Sequence, residues 1–140
     1  MFLLDTNVVS ELRKAKLGKA NAQVVSWAKS VQAGELYLSS ISVLEIEQGI
    51  LQYERRDPIQ GAVLRSWLEQ HVLPGFAGRI LPVDTAVAIQ CARLHVPDPR
   101  SERDALIAAS ALVHGMTVVT RNVKDFEPTG VPILDPWQAI

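Results

Sequence analysis

Four short segments carry oxygen-rich side chains where chemistry is feasible. They are Phe2-Leu-Leu-Asp5-Thr6-Asn7, Leu38-Ser39-Ser-Ile-Ser-Val-Leu-Glu45, Ser101-Glu-Arg-Asp104 and Thr117-Val-Val-Thr120-Arg121-Asn122-Val-Lys-Asp125. Each acid has an ordinary account. Asp5 follows an apolar run and fits a helix cap, a role shared with Asn7 at the head of a short helix from Val8. Ser42 with Glu45, and Ser101 with Asp104, fit the capping-box spacing. An acid in a first helical turn also favours the helix dipole. Asn122 sits at the end of an apolar run, with Asp125 one turn later. Glu47 points elsewhere on its helix. As a set, the acids have a pattern that capping does not require. Crowded carboxylates repel and raise one another's pKa, and a divalent cation relieves that repulsion. Mg²⁺ and Mn²⁺ take oxygen ligands, and Mg²⁺ commonly keeps several waters. His71, His95 and His114 have no zinc spacing, and there is neither a glycine-rich phosphate loop nor a nucleophile elbow.

The elements that must position these acids are short apolar runs alternating with helical patterns. The runs are Phe2–Leu4, Leu36–Leu38, Ile80–Val83, Thr117–Thr120 and Val131–Leu134. Helical spacing covers about 21–32, 42–55, 59–72, 84–95 and 102–114. This alternation predicts an α/β fold with a central, mostly parallel five-stranded sheet flanked by helices. Gly34 and Gly115 stand where helices should stop before strands, and Pro58 can open a helix after Asp57. In open α/β sheets, ligands bind beyond the C-terminal strand ends. That rule selects Asp5, Ser39-Ser40, Asp84, Arg121-Asn122 and Asp135. Asp84 reads as a helix cap and Asp135 as a turn. Gly49, one turn after Glu45, weakens its helix and suits a site where a bulky group approaches. Phe126, Cys91 and the tryptophans read mainly as packing.

The chain has 140 residues, 48% hydrophobic and 21% charged, with 14 Lys+Arg against 15 Asp+Glu. This is ordinary globular composition and long enough for a real core. No strongly basic balance announces nucleic acid, so any such surface must be local. One cysteine suits a reducing compartment. No apolar run is long enough to span a membrane or to form a secretory leader, so a cytoplasmic protein is expected.

The segments Leu3-Leu4-Asp5-Thr6-Asn7, Leu38-Ser39…Glu45, Arg79-Ile80-Leu81-Pro82, Asp104…Ile107-Ala108-Ala109 and Thr120-Arg121-Asn122…Asp125-Phe126 resemble, in order and spacing, the PIN-domain ribonucleases. The likeness is to the VapC/FitB-type toxins of type II toxin–antitoxin pairs, and it spans the chain as one domain, 1–140. The resemblance implies a Mg²⁺- or Mn²⁺-dependent endoribonuclease that hydrolyses RNA phosphodiesters with a metal-activated water. Asp5, Glu45 and Asp104 match the family's central metal-binding acids. The fourth corner is divided between Asn122 and Asp125, which leaves open one ion or two. Thr6, Asn7, Ser39 and Thr120 resemble residues that orient the acids or water. Arg121, Arg103, Arg13 and Lys14 are candidates for the RNA backbone, with an ordinary solvated face as the alternative. The resemblance also implies a homodimer and a small inhibitory antitoxin, seated on apolar positions of the 42–72 helical pair. Contact with DNA would be indirect, through the antitoxin.

Three other readings compete. One is another PIN-like or flap-type nuclease, and another is a non-catalytic binding module on a PIN scaffold. The third is a receiver-like phosphoacceptor, for which Lys124 is poorly placed.

Overall fold

The computed structural model describes residues 1–138. The first strand, β1 (Phe2–Leu4), runs into α1 (Thr6–Arg13), a 3-10 turn and α2 (Ala22–Ser30). Next come β2 (Leu36–Ser39), α3 (Ser40–Arg56) and α4 (Pro58–Trp67). A π-helical turn, Leu68–Val72, carries α4 into α5 (Leu73–Gly75), so this helical arm extends past residue 72. β3 (Ile80–Leu81), α6 (Thr85–Leu94), α7 (Glu102–His114), β4 (Thr117–Val119), α8 (Val123–Phe126) and β5 (Ile133–Leu134) complete the order.

The sheet order is β3-β2-β1-β4-β5, with every pairing parallel. The chain steps outward from β1 through β2 to β3, then returns to the other side of β1 to lay down β4. That reversal makes β1 and β4 flank a topological switch point, where α/β sheets open a crevice at their carboxyl ends.

Alternation along the strands divides the core into two layers. Leu3 and Val118 face α6 and α7, packing with Val87, Cys91, Ile107, Ala108 and Phe126. Leu4, Leu38 and Val119 face the other helices, packing with Val8, Trp27, Ile46 and Ile50. The alanines of α7 are fully buried, which brings that helix close to the sheet. Phe2 meets Trp27 edge to face at 5.3 Å, so Trp27 is core.

Several local expectations change. Asp5, not Asn7, caps α1: its Oδ1 accepts the Thr6 N–H at 2.8 Å, and the helix starts at Thr6. Ser39, not Ser42, caps α3, accepting the Ile41 N–H at 3.0 Å. Ser42 is therefore buried within the helix, and Glu45 takes no part in a capping box. Ser101 precedes α7 without a side-chain cap bond, so no capping box ties Asp104 there either. Gly34 lies in a 3-10 turn rather than at a helix stop. Gly115 does end α7, with φ 66°. Asp84 caps α6, Asp57 caps α4, and Asp135 accepts the Trp137 N–H.

Candidate active site

Asp5 leaves the sheet at the switch point. A short strand with Leu3 and Leu4 fully buried delivers it there, and it is itself 5% exposed. Thr120, just past β4, donates its hydroxyl proton to Asp5 Oδ2 at 2.8 Å. Asn7 is the second residue of α1, with Nδ2 at 3.4 Å from both Asp5 Oδ2 and Thr120 Oγ1. The Asn122 N–H donates to Thr120 Oγ1 at 3.0 Å, and the Arg121 N–H to Asn7 Oδ1 at 3.4 Å. The turn after β4 is thus stitched onto the start of α1.

Glu45 enters from α3, half-buried. Thr6 donates its hydroxyl to Glu45 Oε1 at 2.6 Å, and Arg103 Nη1 lies 3.8 Å from Oε2. Arg103 is braced by Gln48 Oε1 at 2.7 Å. Asp104 enters from the first turn of α7. Its carboxyl is pushed up to about 6, first by burial and then by the charges of Asp5, Asp125 and Glu45. Burial also raises Asp5, with Glu45 and Asp125 adding to it. Hydrogen bonds from Thr120 and Thr6 oppose that rise. Four carboxylates, Asp5, Glu45, Asp104 and Asp125, therefore share one field. Asp125 stands on α8 within electrostatic reach of Asp5 and Asp104. Asn122 takes the position before α8, and its C=O accepts the Asp125 N–H at 3.1 Å.

The remaining candidates scatter. Ser39 supports the start of α3. Lys14 pairs with Glu11 at 3.0 Å. The Arg13 guanidinium lies 5.9 Å from the Trp67 ring centre, and that of Arg121 lies 5.2 Å from Trp137. Arg100 is held by its own loop, donating Nε–H to the Leu94 carbonyl at 2.6 Å. Glu47 is held by Arg65, bidentate at 2.5 and 2.7 Å.

The donor set is all oxygen, which suits a hard divalent cation. Among the described residues, only the ligand atoms of Cys91, His95 and Glu102 come in a group of three within 4.8 Å of one another. The ligand atoms of Asp5, Glu45, Asp104 and Asp125 are spaced more loosely than that. The Cys91 group, which the histidine spacing gave no hint of, is bonded differently. His95 Nδ1 accepts the Arg100 N–H at 3.2 Å, so in the neutral ring Nε2 carries the proton, lying 3.3 Å from Glu102 Oε2 without making a hydrogen bond. A protonated nitrogen offers no lone pair to a metal.

The PIN domain family profile matches residues 2–130. The chain belongs to the PIN domain family. Within it, the chain is 38% identical to the toxin FitB of Neisseria gonorrhoeae, covering 98% of this chain and 99% of that protein. It is 37% identical to the VapC ribonuclease Y4jK of Sinorhizobium fredii, covering 99% of each. The crystal structure of FitAcB from Neisseria gonorrhoeae superposes with a TM-score of 0.89 at 37% identity. That match covers 99% of this chain and 100% of the other. This PIN domain is accordingly of the VapC/FitB toxin type, and its parallel five-stranded sheet is the fold of that structure.

Proposed function

We propose that this chain is the toxin of a toxin–antitoxin pair, an endoribonuclease dependent on Mg²⁺ or Mn²⁺. The observation that carries the reading is the convergence of four carboxylates at the sheet's switch point, with Asp104 raised to about 6 by burial first and then by the charges of Asp5, Asp125 and Glu45. Such crowding is unfavourable without a cation, and Asp5 and Glu45 are each held by hydrogen bonds of their own. When bound, a divalent ion supplies charge neutralisation at the phosphate and a more acidic water for attack on phosphorus. Asp5 and Asp104 are assigned as its direct ligands, with Glu45 completing the set. Thr120 and Asn7 hold the Asp5 carboxylate in one orientation, and Thr6 does the same for Glu45. Arg103, 3.8 Å from Glu45, is assigned to the phosphate beside the cut, and Arg121, Arg13 and Lys14 are candidates for phosphates farther along the RNA.

The other partners follow from the relatives. FitB and VapC Y4jK are named as a toxin and a ribonuclease. A small antitoxin would seat on the outer face of the α3–α4 arm, where Ile59 is 82% exposed and Val63 53%. A homodimer and contact with DNA through the antitoxin belong to the same reading. No described helix is long and apolar enough to cross a membrane.

The test compares purified wild type with Asp5→Asn on unstructured RNA, each with Mg²⁺ and with EDTA. Wild type with Mg²⁺ should cleave, leaving a 5′-phosphate and a 3′-hydroxyl, and the other three conditions should not. Cleavage indifferent to both changes would overturn the mechanism. Metal binding without cleavage of any RNA would favour the binding-module reading.

A further inference from the structure

Between α1, α3 and α4 runs a cleft of about 230 Å³ that reaches the acids at Glu45. Its near wall is Thr6 and Glu45, the pair joined by the 2.6 Å hydrogen bond. Away from that end its character changes. Tyr53 on α3, with the Arg56 guanidinium over one face of its ring at 4.4 Å, and Trp67 on α4 line it with aromatic side chains, and Ser10 and Gln60 bring a hydroxyl and an amide. Gly49 lines the cleft midway along α3, and a Cβ there would meet nothing within 4 Å. The missing side chain thus leaves room inside the cleft rather than relieving a clash. Arg13, beside Trp67, adds a fixed cation to the lining.

Aromatic side chains over an aliphatic wall of Ile46, Ile50 and Leu64, a few polar groups and a connection to a phosphate-handling centre are the chemistry of a nucleobase site. Single-stranded RNA is read by splaying a base out, stacking it on aromatic rings and hydrogen-bonding its edge. We propose that this cleft receives the unpaired base of a nucleotide adjacent to the scissile phosphate, so that Tyr53, Trp67 and Gln60 determine where the RNA is cut. The proposal rests on the ribonuclease reading above. The base enters past Glu45 while its phosphate lies over the acids, and Arg13 meets the neighbouring phosphate.

The experiment uses single-stranded RNA with one mapped cut, in which each nucleotide flanking the cut is made abasic in turn. In wild type, one of the two abasic substrates should lose about fivefold to a hundredfold in kcat/KM, the range set by stacking of one base. Gly49→Leu fills the cleft without a backbone clash, and Tyr53→Ala removes a stacking face. In each, the ratio between the normal and abasic substrates should collapse towards one. A second readout is free of catalysis: 2-aminopurine placed at that nucleotide should lose fluorescence on binding Asp104→Asn protein. The loss should vanish when Gly49→Leu is added. An abasic substrate cut as fast as the normal one, or a ratio that persists in both cleft variants, overturns the proposal. So does an outcome in which base removal is neutral but Gly49→Leu releases the chain from a cognate antitoxin, since the occupant is then a protein segment. If no RNA is cleaved under any metal, the ribonuclease reading fails and overturns the cut-site role with it, even where 2-aminopurine is still quenched; cleavage that ignores base removal overturns the cleft assignment alone.

Discussion

Thr120 donates its hydroxyl proton to Asp5 Oδ2 at 2.8 Å, joining residues 115 positions apart across the junction of β1 and β4. The same oxygen of Thr120 accepts the Asn122 N–H. One hydroxyl therefore sets both the orientation of the first acid and the path of the turn that leads to Asp125.

Replacing Thr120 with valine keeps the shape and removes this link. Loss of a partner that orients a metal ligand typically costs about 10–100-fold in metal affinity or activity. The expected result is a loss of that size in kcat/KM for Thr120→Val, with Thr120→Ser close to wild type. Titrating Mg²⁺ against cleavage rate would show whether the loss lies in metal affinity. Equal rates for valine and serine variants would assign no orienting role to the hydroxyl.

Asp125, rather than Asn122, is expected to be the fourth corner. Its charge contributes to the raised pKa of both Asp5 and Asp104, whereas the Asn122 backbone is what binds Thr120. Calorimetric titration with Mn²⁺ should show weaker binding for Asp125→Ala and near-unchanged binding for Asn122→Ala. The reverse order would move the corner to Asn122.

Asp104 gives a pH signature. Its folded pKa, about 6, lies above the unfolded value of 3.8. The folded state therefore holds this proton more tightly. Its stabilising contribution is full below about pH 4 and is lost as pH rises through about 6. In metal-free protein, wild type and Asp104→Asn should melt close together at pH 4. At pH 7 the variant should melt higher. Adding Mg²⁺ at pH 7 should raise the wild-type midpoint more than the variant's. A difference in melting that does not change with pH would contradict the assignment.

Two glycines should respond oppositely to alanine. At Gly61 a Cβ would lie 2.7 Å from the Glu54 Cα, backbone against side chain, where α3 and α4 touch. Overpacking of this kind costs about 1–3 kcal/mol, so Gly61→Ala should melt lower. Gly49 faces open space within a helix. Alanine there should add up to about 1 kcal/mol through helix propensity. Urea unfolding of both variants checks the pair.

Local patterns in the sequence already defined much of this protein. Alternating apolar runs and helical spacing are set by backbone period, so the five parallel strands and the helices between them could be read directly. Asp5 at a strand exit, and Glu45 and Asp104 early in their helices, could be read as a set for the same reason. Caps were less legible, because Ser39 and Ser42 are both competent and the choice depends on where β2 ends. Only the tertiary structure decided which side chains cross between elements. The return of the chain from β3 to β4 places Thr120 against Asp5, and the close approach of α7 brings Arg103 to Glu45. The packing of α4 against α3 and α1 encloses the cleft beside Gly49. Such contacts depend on how helices sit on the sheet, and neither periodicity nor spacing along the chain encodes that distance.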